Sequence, residues 1–269
     1  MSEPAVVVER DGHVTTLTLN RPEKRNAFNA EMLVRLADAY DEADADADVR
    51  VILVTGAGGN FSAGADLDRL VGALLAGKPT ENEFEDRIKE DFSIIYKGFL
   101  KEFRPQAPVI CAIEGYCYAG GTEYLQGTDL RVAGEGAEIA ISEVRRALFP
   151  MAGSTVRLPR QIGFAKAMEM LLVGDPISGA EAERIGLVNY AVSDGGALGK
   201  ARELADRIAE NGPLAVRGIK ESVWAADGVP EREAYAKEQE LGLAVMMSND
   251  AREGPKAFLE KRPPNYTGT

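Results

Sequence analysis

Only one histidine, two cysteines and one tryptophan occur in this 269-residue chain, and each scarcity removes a class of function. His13 is the sole imidazole, set between Gly12 and Val14. That argues against a histidine-centred triad or a multi-histidine metal site, and no metal is expected. Cys111 and Cys117 cannot form a disulfide framework, and so sparse a use of cysteine suits a reducing cytoplasm. No stretch approaches the roughly 18 uninterrupted apolar residues of a membrane span. The opening MSEPAVVVERDGH is acidic where a secretory signal is basic and then apolar. Dense basic runs are missing too: Lys+Arg 31 stand against Asp+Glu 43, a net charge of −12. Such a chain repels phosphate backbones, so nucleic acid is not an expected partner. Any proton chemistry must come from carboxylates, backbone dipoles, tyrosines or lysines.

What is present is an ordinary globular composition, 45% hydrophobic and 28% charged, in a chain long enough for about two units or one large α/β domain with an appendage. Val6–Val8 and Val14–Leu19 around the Asp11-Gly12 turn predict a hairpin. Asn29 is placed to cap a helix whose inner face carries Met32, Leu33, Leu36, Ala37 and Tyr40. The run DEADADADV beyond it reads as a solvated helix end. Residues 51–54 and 109–113 are short, apolar and rich in β-branched side chains, as in strands buried on both faces. Residues 68–106 alternate apolar and charged positions at helical spacing, broken at Gly77-Lys78-Pro79. Ser178 and Glu181 fit a capping box closed by Gly186. A further helix is expected with Leu198, Ala201, Leu204, Ala205 and Ile208 inward, ending at Asn211-Gly212-Pro213, and another starting at Pro230.

Three loops are candidates for chemistry. Thr55–Gly59 follows a buried strand, but the dinucleotide pattern fails at Phe61, and a plain glycine-rich turn is the better reading. In Asn60–Leu67, the small residues at 62–65 permit close approach of a ligand, and Asp66 can cap a helix through Leu67, Leu70 and Val71. In Glu114–Glu123, a glycine-rich turn enters a helix on which Gly120 and Glu123 share a face, so an N–H donor and a carboxylate can address one site. Glu143 ends an apolar segment, Ile139–Ser142, where a charge needs a reason. Each feature alone has a bland structural explanation.

Together these segments resemble the enoyl-CoA hydratase/isomerase (crotonase) superfamily over essentially the whole chain. The resemblance rests on NRPEKRNAFN at 20–29, NFSAGADL at 60–67, GYCYAGGTEYLQGTDLRVA at 115–133 and ISEVRRALFPMAGSTVRLPRQIG at 141–163, supported by 174–192 and 253–266. It implies an α/β crotonase (ClpP-like) spiral of ββα units with two sheets, residues 1–195 forming the core and 196–269 a helical region for oligomerisation and CoA closure. It implies that the amides of Ala65 and Gly120 form an oxyanion hole for a thioester carbonyl, with Glu123 as base and Glu143 as acid. Arg25, Ala27, Ala63, Asp66, Leu67 and Gly121 fall at CoA-binding positions. Phe258 and Lys261 match tail positions that reach a neighbouring subunit's CoA, in a trimer or dimer of trimers. No cofactor is implied.

On the same resemblance, glutamate at both acid positions, Glu123 and Glu143, implies hydration of a trans-2-enoyl-CoA. Another crotonase-type reaction such as isomerisation, or a catalytically silent acyl-CoA binder, is the alternative. The chain departs from the family pattern at Thr122, Ser142, Met151, Gly153 and Ser154, which puts pocket shape in question. Cys111 and Cys117 read as buried apolar residues, and Tyr116, Tyr118 and Tyr124 as wall packing.

Overall fold

The computed structural model of the chain describes residues 3–72 and 77–269. The reading of 68–106 as helical therefore lies outside the described residues at 73–76. Strand β1 (Val6–Asp11) turns at Gly12 into β2 (Val14–Leu19), and the two pair antiparallel. The helix Ala30–Ala45 follows, its first turn closed by the Asn29 side chain, which accepts from the Met32 amide at 3.0 Å. Its buried face includes Met32, Leu33, Leu36, Ala37 and Tyr40, as the spacing predicts. The acidic run beyond is half engaged: Asp44 accepts from the Gln106 amide and Asp46 pairs with Arg10.

The chain then alternates between two sheets. Strands β3 (Val51–Gly56), β4 (Val109–Ile113) and β6 (Leu130–Gly134) enter the larger sheet, parallel to β2. Strands β5 (Tyr116–Tyr118) and β7 (Glu138–Ala140), each following within a few residues, leave it for a smaller one. Strand β8 (Ile177–Ser178) closes the small sheet and β9 (Tyr190–Val192) the large one. The orders are β1-β2-β3-β4-β6-β9 and β5-β7-β8. This alternation is the spiral of ββα units. The chain switches sheets just after β4 and β6, so the loops at 114–120 and 135–143 gather at one end of the large sheet.

Both faces of the large sheet are covered. Leu17, Leu19, Ile52, Val54, Cys111 and Ile113 pack toward the first helix and the small sheet. Val14, Val51, Leu53, Ile110, Ala112 and Val132 pack against the helix Ala197–Ala209 through Ala197, Ala201, Leu204, Ala205 and Ala209. Here one expectation fails: Leu198 is exposed, because the helix touches the sheet through its alanines and the wider leucine points to the side. Where the sequence suggests only a break, the helix Pro213–Ala225 begins, with Pro213 at a first-turn position where no amide is needed. Pro230 in turn precedes the helix Glu231–Met246 as its cap rather than opening it. The last helix, Asn249–Glu260, is capped by Ser248. Among the described residues no helix is long and apolar enough to cross a membrane.

Candidate active site

The segment NRPEKRNAFN folds into a tight knot around a buried asparagine. Asn26 accepts from the Arg21 amide at 2.9 Å and donates to the carbonyls of Ala57 and Asn60 at 2.9 and 2.7 Å. Its own carbonyl accepts from the Ser62 hydroxyl at 2.8 Å. The loop 60–66 is sewn down on both sides. Phe61 and Ser62 amides donate to Glu114 and Tyr116, Ala63 to Arg25, Gly64 to the Ser62 hydroxyl, and Asp66 to Phe28. The Ala65 amide is the exception in this run: among the described residues no acceptor takes it. Gly64 makes the geometry possible. Its φ is +94°, and a Cβ there would lie 2.8 Å from the Tyr118 carbonyl.

Across from it, β5 is followed by Ala119, a non-glycine residue at φ 50°, ψ −120°, an outlier that stores strain. Its amide is anchored on the Ala140 carbonyl at 2.8 Å, and the short helix Gly120–Leu125 starts immediately. The Gly120 amide is likewise untaken among the described residues. A Cβ at Gly120 would come within 3.3 Å of the Ala65 nitrogen and 3.2 Å of the Phe99 ring. Two unclaimed N–H donors thus share one small space, and only glycine at 120 keeps it open.

One helical turn on, Glu123 is 4% exposed. Its Oε1 accepts from the amides of Ala152 and Ser154 at 2.9 and 3.1 Å. Burial pushes its pKa up, while these amides and the Ser154 hydroxyl pull against that rise. Glu143, the first residue of a 3-10 turn (Glu143–Arg146), lies beside it, itself 9% exposed. Burial, then the Glu123 charge and contact with that carboxylate, push Glu143 up to about 7. Its Oε2 is buried with no partner among the described residues. Two acids so placed resist ionising together and titrate as a pair.

The other residues singled out in the sequence divide into two groups. Arg25, Ala27, Ala63, Asp66 and Leu67 lie together on the knot and the loop. Arg25 is exposed with its guanidinium 4.3 Å above the Tyr116 ring, and Leu67 is 52% exposed. Asp66 pairs with Arg21 at 3.1 Å and accepts from the amides of Asp68 and Arg69, capping a single π-helical stretch (Leu67–Gly72). Gly121 packs against Ser62, where a Cβ would meet its carbonyl at 2.9 Å. Phe258 and Lys261 are not brought to the carboxylates. They end the last helix, Phe258 83% exposed. That helix is tied through Tyr266 to Arg50, at the opposite end of the parallel strands from the site loops.

Cys111 and Cys117 are fully buried, and burial pushes the Cys111 thiol up to about 12, which keeps both from acting as nucleophiles. Tyr124 bonds the Tyr40 hydroxyl inside the core, and Tyr118 bonds Glu138. Two supports of the site escape a reading of the sequence. Arg157, buried, donates to the carbonyls of Leu100 and Lys101 and pins Leu100 at φ 53°. Gln126, also buried, donates to the Thr122 carbonyl and the Ser154 hydroxyl. A polar residue at helical spacing from Glu123, in an otherwise apolar turn, is the available signal.

The alternation of the chain between two sheets defines the crotonase fold class, to which its structural neighbours belong. Residues 9–269 match the family model of enoyl-CoA hydratase/isomerase, and the chain belongs to that family. It is 47% identical over 265 residues to the enoyl-CoA hydratase EchA19 of Mycobacterium tuberculosis, covering 98% of this chain and 97% of that protein. The crystal structure of the enoyl-CoA hydratase EchA1 from Mycobacterium marinum matches with a TM-score of 0.88 at 40% identity, over 99% of this chain and 100% of that one. An enoyl-CoA hydratase structure from Mycobacterium tuberculosis H37Rv gives 0.88 at 38% identity, over 99% and 100%. Membership supports hydratase/isomerase chemistry on acyl-CoA.

Proposed function

We propose that the chain is an enoyl-CoA hydratase, adding water reversibly and with syn geometry to a trans-2-enoyl-CoA to give a 3-hydroxyacyl-CoA. The observation that carries this reading is the buried Glu123–Glu143 pair beside the two untaken amides of Ala65 and Gly120. In this mechanism the two amides hold the thioester oxygen as it gains enolate charge, a preorganised interaction realised in the transition state. Glu123, whose charged form the amides of Ala152 and Ser154 favour, takes a proton from water as its oxygen bonds C3. Glu143, which keeps its proton up to about pH 7, delivers one to C2. One proton leaves water and one reaches carbon, so the pair returns to its starting charge after a proton passes between the acids. No cofactor enters the scheme.

Arg25, Ala27, Ala63, Asp66, Leu67 and Gly121 are assigned to the CoA path, running from the exposed knot to the amides. Phe258 and Lys261 are assigned to the CoA of a neighbouring subunit, within a homotrimer or dimer of trimers. Their separation from the site within one chain supports that assignment. On this view residues 1–195 carry the chemistry and 196–269 the assembly, and the enzyme works in the cytoplasm on acyl-CoA degradation. The test is product analysis after incubation with 2-enoyl-CoAs of several chain lengths. A 3-hydroxyacyl-CoA from at least one of them is expected. Its absence from all of them, with a 3-enoyl-CoA shifted to the 2-enoyl isomer, would replace hydration by isomerisation.

A further inference from the structure

Thr122 and Ser154, two of the residues at which the chain departs from its family's pattern, turn out to be joined. Gln126 lies between them, fully buried one turn beyond Thr122. Its Nε2 donates to the Thr122 carbonyl at 3.1 Å and to the Ser154 hydroxyl oxygen at 2.8 Å. A carbonyl accepts only, so the Thr122 contact fixes which end of the amide faces Ser154. The Gln126 oxygen points elsewhere and has no partner among the described residues. With an N–H donor on its oxygen, the Ser154 hydroxyl must direct its own proton away from Gln126. Ser154 is fully buried beside Glu123, whose Oε1 already takes the Ser154 amide at 3.1 Å and whose carboxyl the Ser154 hydroxyl helps to hold down.

We propose that Ser154, aimed by Gln126, is a positioning residue that decides which of the two carboxylates carries their shared proton. The inference rests on the hydratase reading of the Glu123–Glu143 pair and deepens it. The amides of Ala152 and Ser154 donate to Glu123, and the Ser154 hydroxyl adds to their pull toward its charged form. Glu143 has a buried oxygen that nothing in the described chain bonds. Hydrogen bonds to a carboxylate favour its charged form, so the asymmetry leaves Glu123 ionised and the proton on Glu143. The orientation of one hydroxyl thereby sorts base from acid in a pair whose burial alone treats both alike. Glycine at 154 would supply the amide but not the hydroxyl.

The experiment compares unmodified protein, Ser154→Ala, Gln126→Met and the double variant in pH profiles of kcat/KM. Crotonyl-CoA and trans-2-decenoyl-CoA serve as probes, with folding checked by circular dichroism. Ser154→Ala is expected to move the acidic limb upward by about one pH unit, so that activity falls roughly tenfold near the limb and little well above it. Gln126→Met moves it the same way by less, and the double variant moves it no further than Ser154→Ala, since both act through one hydroxyl. Should Ser154→Ala not fold, Gln126→Met carries the same test. A loss equal at every pH, or an unmoved limb, overturns the proposal while leaving the hydratase reading intact. No turnover of either probe by unmodified protein, with isomerase activity present, defeats the underlying reading instead.

Discussion

Replacing Glu143 by glutamine should stabilise the fold at alkaline pH while removing the activity. In the native protein Glu143 is raised from an ordinary 4.5 to about 7. Between those values the folded chain holds a proton that the unfolded chain has released, so stability falls as pH rises through the window and levels off above it. At about 1.4 kcal/mol per pH unit, native protein above pH 7 carries a cost of about 3 kcal/mol. The glutamine side chain has no such proton to lose, and its amide can donate to Glu123. Thermal melts of native protein and Glu143→Gln at pH 5 and pH 8 measure the difference. At roughly 2 °C per kcal/mol for a chain of this size, the variant should melt about 6 °C higher at pH 8 and close to native at pH 5. A variant that melts lower at pH 8, or that shows the same offset at both pH values, refutes the reasoning.

Two further outcomes follow from the packing. Gly120→Ala places a methyl group 3.3 Å from the Ala65 nitrogen, so kcat/KM should fall by about 100-fold, as for loss of an oxyanion donor, with folding retained; a change under twofold would remove the amide pair from the chemistry. Asp129 accepts from Lys220 at 2.8 Å, Trp224 Nε1 at 2.9 Å and the Val109 amide at 2.7 Å, fastening the helix Pro213–Ala225 to the sheet. Asp129→Ala leaves a buried ammonium and should cost about 3 kcal/mol. Trp224 is the sole tryptophan, so its emission should shift to the red; unchanged emission and melting would show that the cluster fastens nothing.

The hairpin, the first helix and the buried strands are legible because each obeys one local rule: alternation, a 3.6-residue face with an Asn29 cap, or an unbroken apolar run. Leu198 and the helix Pro213–Ala225 are not. Alanine spacing rather than hydrophobicity sets which side of the helix Ala197–Ala209 meets the sheet, and Asn211-Gly212-Pro213 serves as a stop and a start at once. The site is legible only as a set of motifs. Periodicity places Gly120 and Glu123 on one face, but the return of Glu143 to Glu123 depends on β6 and β7 changing sheets. Glu143 opens a 3-10 turn, a position that residue type alone does not mark. The pairing of Gln126 with Ser154 spans two helices and has no local signature.

Two acids adding water across a double bond, next to a thioester held by two amides, leave an isotopic signature. Turnover of a 2-enoyl-CoA in ¹⁸O-labelled heavy water reads it most directly. One labelled oxygen at C3 and one deuteron at C2 are expected with native protein, and neither with Glu123→Gln or Glu143→Gln. Deuterium at C2 without oxygen at C3, or full labelling by either variant, would contradict it.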